Sequence, residues 1–139
     1  MTLPVPYKLH FKAINDVGNG GYLEVADAIA ESDIYYLSPT PSPKGIKIPS
    51  NNPLNISIAT ISPALNGGAG FKLLFTLNND TFYFYIGLVS GEVRLGLSNQ
   101  SINEAKTQAK SARTTLGMGP VKAWADIKGN IGTVAFTFA

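Results

Sequence analysis

Hydrophobic and polar positions alternate along much of this chain, as they do in strands that bury one face. In residues 7–14, Leu9 and Phe11 share one side while His10 and Lys12 share the other. The last residues of the chain alternate in the same way and are expected to pair within a sheet. Strands are predicted at residues 7–14, 33–38, 54–62, 121–127 and 132–139.

The most apolar segment runs from Phe71 to Leu97 and is predicted to form three strands joined by short hairpin links. In the middle strand, Phe82 and Phe84 share one face, while Tyr83 and Tyr85 share the other. Because both faces carry large apolar groups, this strand is expected to be central and covered on both sides. A second sheet would cover one face, and a helix, a partner subunit or a ligand would cover the other. The three strands are residues 71–77, 81–89 and 92–97.

A helix is predicted near residues 102–116. Ser101 and Glu104 have the spacing of a capping box, in which each side chain satisfies a backbone donor at the other position. Gly117 is expected to end the helix in a left-handed conformation. This helix would carry Lys106, Lys110 and Arg113 as a basic stripe.

Residues 22–32 are ambiguous, and a short strand leading into a helical turn is the preferred interpretation. If the segment were helical, Glu24, Asp27 and Glu31 would share one face. A pair of carboxylates flanking a cleft is what glycoside hydrolysis requires. An ordinary solvated surface explains the same spacing, and the cluster dissolves if the segment is a strand.

With 139 residues, the chain is predicted to form one β-rich domain spanning residues 1–139. A two-layer antiparallel β-sandwich is the predicted architecture, with a closed β-barrel as the alternative. Residues 39–53 hold five prolines and are expected to form an extended loop or a poor edge strand. Charged residues make up only 14% of the chain, so hydroxyl, amide and backbone groups must cover most of the surface.

Several kinds of chemistry are excluded or disfavoured. There is no cysteine, which rules out disulfides, thiolate metal sites and cysteine nucleophiles. The single histidine, His10, lies between Lys8 and Lys12 with no serine nucleophile nearby in sequence, so neither a triad, a metal site nor a cofactor is expected. A net charge of +2 without a strong basic stripe argues against nucleic-acid binding.

Membrane insertion and classical secretion are not expected from the sequence. No apolar run approaches the roughly 20 residues that span a bilayer. The first residues lack the basic leader and apolar core of a signal peptide, so a cytoplasmic or non-classically exported protein is expected.

Aromatic rings beside polar side chains are the remaining candidates for a binding site. Such rings can stack on the apolar face of a sugar while their neighbours hydrogen-bond its edge. We therefore predict a non-enzymatic, lectin-like glycan-binding protein that forms homo-oligomers. The alternatives are a self-assembling structural or membrane-active oligomeric β protein and a carboxylate-dependent hydrolase. The predicted ligand-binding residues are Tyr83, Tyr85, Asn79, Asp80, Trp124 and Asp126.

Overall fold

The fold is described from a computed structural model. It covers residues 8–16, 21–31, 34–50, 52–60, 67–76, 79–89, 92–111, 115–118, 121–128 and 131–138. These residues form twelve strands and one short helix. The strands are β1 Lys8–Asn15, β2 Leu23–Ala30, β3 Ile34–Ser38, β4 Lys47–Ile48, β5 Leu54–Thr60, β6 Gly67–Phe75, β7 Asp80–Val89, β8 Glu92–Ser98, β9 Lys110–Ser111, β10 Thr115–Met118, β11 Val121–Lys128 and β12 Ile131–Phe138. The helix is α1, Ile102–Thr107.

The strands form two sheets of six, which confirms the predicted β-sandwich. The sheet that we call the terminal sheet has the order β10-β11-β12-β1-β5-β3, and the meander sheet has the order β4-β2-β6-β7-β8-β9. Only the pair β1 and β12 is parallel among the described pairings. The described strands do not close into a barrel, which was the alternative architecture.

The core lies between the two sheets and is rich in phenylalanine. Phe136 of the terminal sheet has its ring centroid 5.5 Å from that of Phe82 and 5.2 Å from that of Phe84, both on the meander sheet. Phe11 and Phe71 make a second contact between the sheets, at 6.3 Å. These edge-to-face and tilted arrangements are favourable for aromatic rings. They fix the inner faces of both sheets, so the remaining faces point outward.

The alternation of the sequence correctly predicted which side chains face the core. On β1, Leu9 and Phe11 are buried while Lys8 and Lys12 are exposed. The middle strand of the meander, β7, is buried on its inner face, and on its outer face it is buried at Tyr85 but only half-buried at Tyr83, so the expected cover on both sides is found over part of the strand. The ambiguous segment is a strand, β2, as far as Ala30, so the helical turn expected in its second half is wrong, and the helical spacing that would group three carboxylates does not occur.

The predicted helix begins where expected but is much shorter than predicted. Ser101 Oγ accepts a hydrogen bond from the Glu104 backbone N–H at 3.1 Å, yet α1 ends at Thr107 rather than near residue 116. The chain then leaves the helix because residues 110–111 add an edge strand to β8, and residues 115–118 pair with β11 in the other sheet. A continuous helix could not provide these edge strands for the two sheets.

The basic stripe predicted for that helix therefore does not form. Lys110 lies in β9, and Arg113 lies outside the described residues. Within the described part of the chain, no helix is long and apolar enough to cross a bilayer.

Candidate functional site

Helix α1 lies directly on the outer face of the meander sheet because glycines leave room for it. A Cβ atom on Gly96 would overlap the carbonyl of Ala105, and one on Gly70 would overlap the side chain of Ile102. Both glycines occupy outward-facing positions on β8 and β6. These two glycines therefore let α1 pack closely against the sheet. The helix covers the outer face of the strands that lie beneath it.

Tyr85, on the outer face of β7, is only 2% exposed and belongs to a polar network beside α1. Its hydroxyl donates a 2.5 Å hydrogen bond to Glu31 Oε1, which also accepts the Gly68 N–H at 2.9 Å. Lys106 Nζ, from the helix, donates to Glu31 Oε2 at 2.6 Å. Gly87 leaves space for the tyrosine ring, since a Cβ there would lie 2.7 Å from its Cε1.

The electrostatics of this network keep it in one protonation state. Burial raises the pKa of Glu31, but the hydrogen bonds from Lys106 and Tyr85 outweigh that effect, so its pKa lies below the ordinary 4.5. Burial and the bond to Glu31 raise the pKa of Tyr85 well above its usual range. Near neutral pH the network is thus a carboxylate held by a neutral phenol and an ammonium. Its evident role is to fasten α1 to the sheet.

The six predicted ligand-binding residues do not form one site. Those on the meander sheet differ in exposure: Tyr85 is buried, Tyr83 is half-buried, and Asn79 and Asp80 are exposed at the start of β7. Trp124 and Asp126 lie on the outer face of the terminal sheet, on the opposite side of the core. A small ligand cannot contact both groups.

Trp124 is the most prominent ring on the outer face of the terminal sheet. It is 50% exposed, although it lies on β11, the second strand from the edge. The residues opposite it are small: Thr115 on β10 and Ala135 on β12. Asp126 follows on the same face, opposite Thr133. The indole therefore has open space above it and hydrogen-bonding groups beside it.

A groove of about 470 Å³ lies on the same outer face, across β5, β1 and β12. Thr133, on β12, lines this groove. It is the diagonal neighbour of Trp124 across the pairing of β11 with β12, so the groove begins one strand away from the indole. Its lining includes His10, Lys12, Asn55, Ser57, Ile131 and Thr133.

Inside the groove, His10 Nδ1 and Ser57 Oγ share a hydrogen bond of 2.7 Å. The sequence did not reveal this pair because the two residues are 47 positions apart and meet only through the pairing of β1 with β5. The one available signal was that each lies at a polar position of an alternating strand. A nucleophilic triad also needs a carboxylate that orients the imidazole. None is among the described contacts of His10.

Metal-binding groups do not cluster in this molecule as far as it is described. Among the described residues, no three His, Asp or Glu side chains come together as a potential metal site. The polar side chains that line the groove can donate or accept hydrogen bonds, and Lys12 adds a positive charge.

Comparisons with known proteins assign no family. No protein-family model matches the chain, and no curated protein matches it significantly.

Proposed function

We propose that this protein is a non-enzymatic glycan-binding module whose ligand lies on the outer face of the terminal sheet. The observation that carries the proposal is the half-exposed indole of Trp124 between Thr115 and Ala135. The apolar C–H face of a sugar can stack on such a ring. Asp126 and Thr133, which pair across β11 and β12, would supply hydrogen bonds to the hydroxyls at its edge.

The position of Trp124 favours binding over a purely structural role. An indole that served only the core would be buried, and the residues of β11 that face the core are small or aliphatic: Val121, Ala123 and Ala125. The strand that carries the ring is paired on both sides, so the backbone position of Trp124 is fixed before a ligand binds. Of the six residues predicted from sequence, Trp124 and Asp126 are retained in this proposal. Tyr85 is not, because Glu31 occupies its hydroxyl and α1 lies beside its ring.

Trp124 is the only tryptophan in the chain, so its fluorescence reports directly on the proposed site. A glycan array would identify a ligand, and titration with that glycan should change the emission of Trp124. Trp124→Ala should weaken binding by about tenfold or more, measured by calorimetry. Tyr22→Ala is the matched control, since Tyr22 is similarly exposed, at 47%, but lies before β2.

The control variant should bind within about twofold of the original chain. An array without any bound glycan would refute the proposal. Binding that survives Trp124→Ala unchanged would place the ligand elsewhere and would also contradict it.

A second candidate function is self-assembly through the same face. Three exposed large side chains share it: Tyr35, Trp124 and Ile131. They lie on three different strands, β3, β11 and β12, so a second copy of the chain docked on this face would have to cover most of the sheet. Light scattering coupled to size exclusion tests this candidate. A concentration-dependent homo-oligomer that Ile131→Thr disrupts, together with an empty glycan array, would favour assembly over glycan binding.

A further inference from the structure

We infer that the groove beside Trp124 selects acidic glycans, by receiving a sulfate or carboxylate group carried on the sugar. This inference rests on the proposed function and specifies its ligand class. It is argued from the charge of the face, the donors in the groove and the register that links the groove to the indole.

The outer face of the terminal sheet is predominantly basic. Among the strand residues described on this face, Asp126 is the only acid, and it is separated from Lys12 by the intervening strand β12. An anionic ligand would therefore meet a favourable potential on approaching this side of the protein. The exposed lysines of the face are Lys8, Lys12, Lys122 and Lys128.

The other side of the sandwich has a different balance of charge. Glu24, Asp27 and Glu31 belong to β2 and its end, in the meander sheet. Asp27 lies 3.7 Å from Lys44, and Glu31 is paired with Lys106, so two of the bases on that side are engaged by acids. The charge asymmetry follows in part from the fold, because these three acids lie on or just after β2, which the topology assigns to the meander sheet.

The groove itself presents donors suited to an oxyanion. Lys12 lies directly between Asn55 on β5 and Thr133 on β12, so an ammonium, an amide and a hydroxyl converge there. One residue pair away on the same face, His10 and Ser57 share their hydrogen bond. No acid lines the described part of the groove. Charge-assisted hydrogen bonds from such groups are the usual means of holding sulfate or carboxylate.

The register connects this anion site to the stacking site. Diagonal neighbours on adjacent strands lie about 7–8 Å apart, and Thr133 stands in this relation to Trp124. An acidic substituent in the groove would therefore place the next sugar of the chain over the indole. The two features form one continuous surface rather than two separate sites.

The test compares three probes in parallel: a sulfated chondroitin hexasaccharide, the desulfated hexasaccharide, which keeps its carboxylates, and the neutral cellohexaose. Vesicles of phosphatidylserine and phosphatidylcholine serve as a non-glycan polyanion. Lys12→Gln removes the central charge of the groove. Lys47→Gln is the matched control, since Lys47 is an exposed lysine on β4 of the other sheet.

We expect binding of one or both acidic hexasaccharides, little binding of cellohexaose, and an affinity that falls as salt rises. Lys12→Gln should weaken acidic-glycan binding about fivefold, whereas Lys47→Gln should change it less than twofold. Binding should also depend on Trp124.

Three results would overturn the inference. If cellohexaose or other neutral glycans bind as well as the acidic probes, with Trp124 dependence but no effect of Lys12→Gln, the proposed glycan-binding function stands and only the acidic selectivity is lost. If no glycan binds, both proposals fail. If the vesicles bind as tightly as the hexasaccharides with the same dependence on Lys12, the groove recognises a charged surface and not a sugar.

Discussion

The hydroxyl of Tyr85 donates a 2.5 Å hydrogen bond to Glu31, a residue 54 positions earlier in the chain and just beyond the end of β2. The same carboxylate accepts a bond from Lys106 on α1. This contact joins two strands and the helix through one side chain. It adds to the packing of Ala105 and Ile102 against the sheet, which a helix of only six residues needs because it is too short to be stable alone.

Removing the Tyr85 hydroxyl should destabilise the fold without disturbing its packing. In Tyr85→Phe the ring remains over Gly87, but Glu31 loses a donor in a partly buried site. A lost hydrogen bond to a charged group costs about 1.5–3 kcal/mol, and we expect the lower end because Glu31 keeps its other two donors. Urea unfolding should show a lower midpoint with an unchanged slope.

The matched control is Tyr83→Phe, which removes a hydroxyl from a half-buried ring on the same face of β7. Its midpoint should move much less. Equal shifts for the two variants would mean that the bond to Glu31 contributes nothing of its own.

The depressed pKa of Glu31 predicts how stability varies with acidity. In the folded state the carboxyl has a pKa below 4.5, its ordinary value, so the unfolded chain binds the proton more tightly. The contribution to stability is fully present above pH 4.5 and is lost as pH falls through the folded-state pKa. Glu31→Gln should therefore be less stable than the original chain at pH 7, and the difference should shrink at acid pH.

Thermal unfolding between pH 7 and pH 3 measures this difference. Glu24→Gln is the control, because Glu24 lies on the same strand outside the Tyr85 network. If the difference in stability between Glu31→Gln and the original chain stays constant down to pH 3, the lowered pKa of Glu31 is contradicted.

The parts of the fold that local sequence determines were predictable. Strand β1 is a good example, since the period of two in Leu9, Phe11 and Ala13 reflects burial against one face. The start of α1 was equally local, because the N-cap bond to Ser101 Oγ comes from Glu104, only three residues later. Its end was not, because the strand pairing of residues 110–111 with β8 depends on a partner that helical periodicity does not reveal.

The candidate site shows the same division. Trp124 and Asp126 were correctly predicted to share a face because they are two residues apart on one strand. Their separation from Tyr83 was not predictable, since it depends on which sheet each strand joins. The bond between His10 and Ser57 likewise arises from strand pairing over 47 residues.

A single methyl group at Gly96 should displace α1. The added Cβ would overlap the carbonyl of Ala105, and rigid backbone on both sides leaves little room for relaxation. Overpacking of this kind costs about 1–3 kcal/mol. Gly96→Ala should therefore lower the urea midpoint and increase amide hydrogen exchange in residues 102–107.

Gly117→Ala is the control for Gly96→Ala, because a Cβ at Gly117, on edge strand β10, meets nothing within 4 Å. It should be neutral or slightly stabilising, since alanine lowers the entropy of the unfolded chain. If Gly96→Ala were as well tolerated as Gly117→Ala, close contact between α1 and β8 would be disproved.

The basic character of the terminal sheet can be tested in the free protein through Trp124. Its half-exposed indole should be quenched by neutral acrylamide, and anionic iodide should quench it more efficiently than cationic caesium, roughly twofold at low ionic strength. Lys122 and Asp126 flank the ring on the same face of β11. Asp126→Asn should therefore increase the difference in quenching efficiency between iodide and caesium, and Lys122→Gln should decrease it. Added salt should reduce the difference by screening, whereas acrylamide quenching should stay constant. Preferential quenching by caesium would show that the indole lies in an acidic environment, and an acidic ligand could then not be expected to approach it.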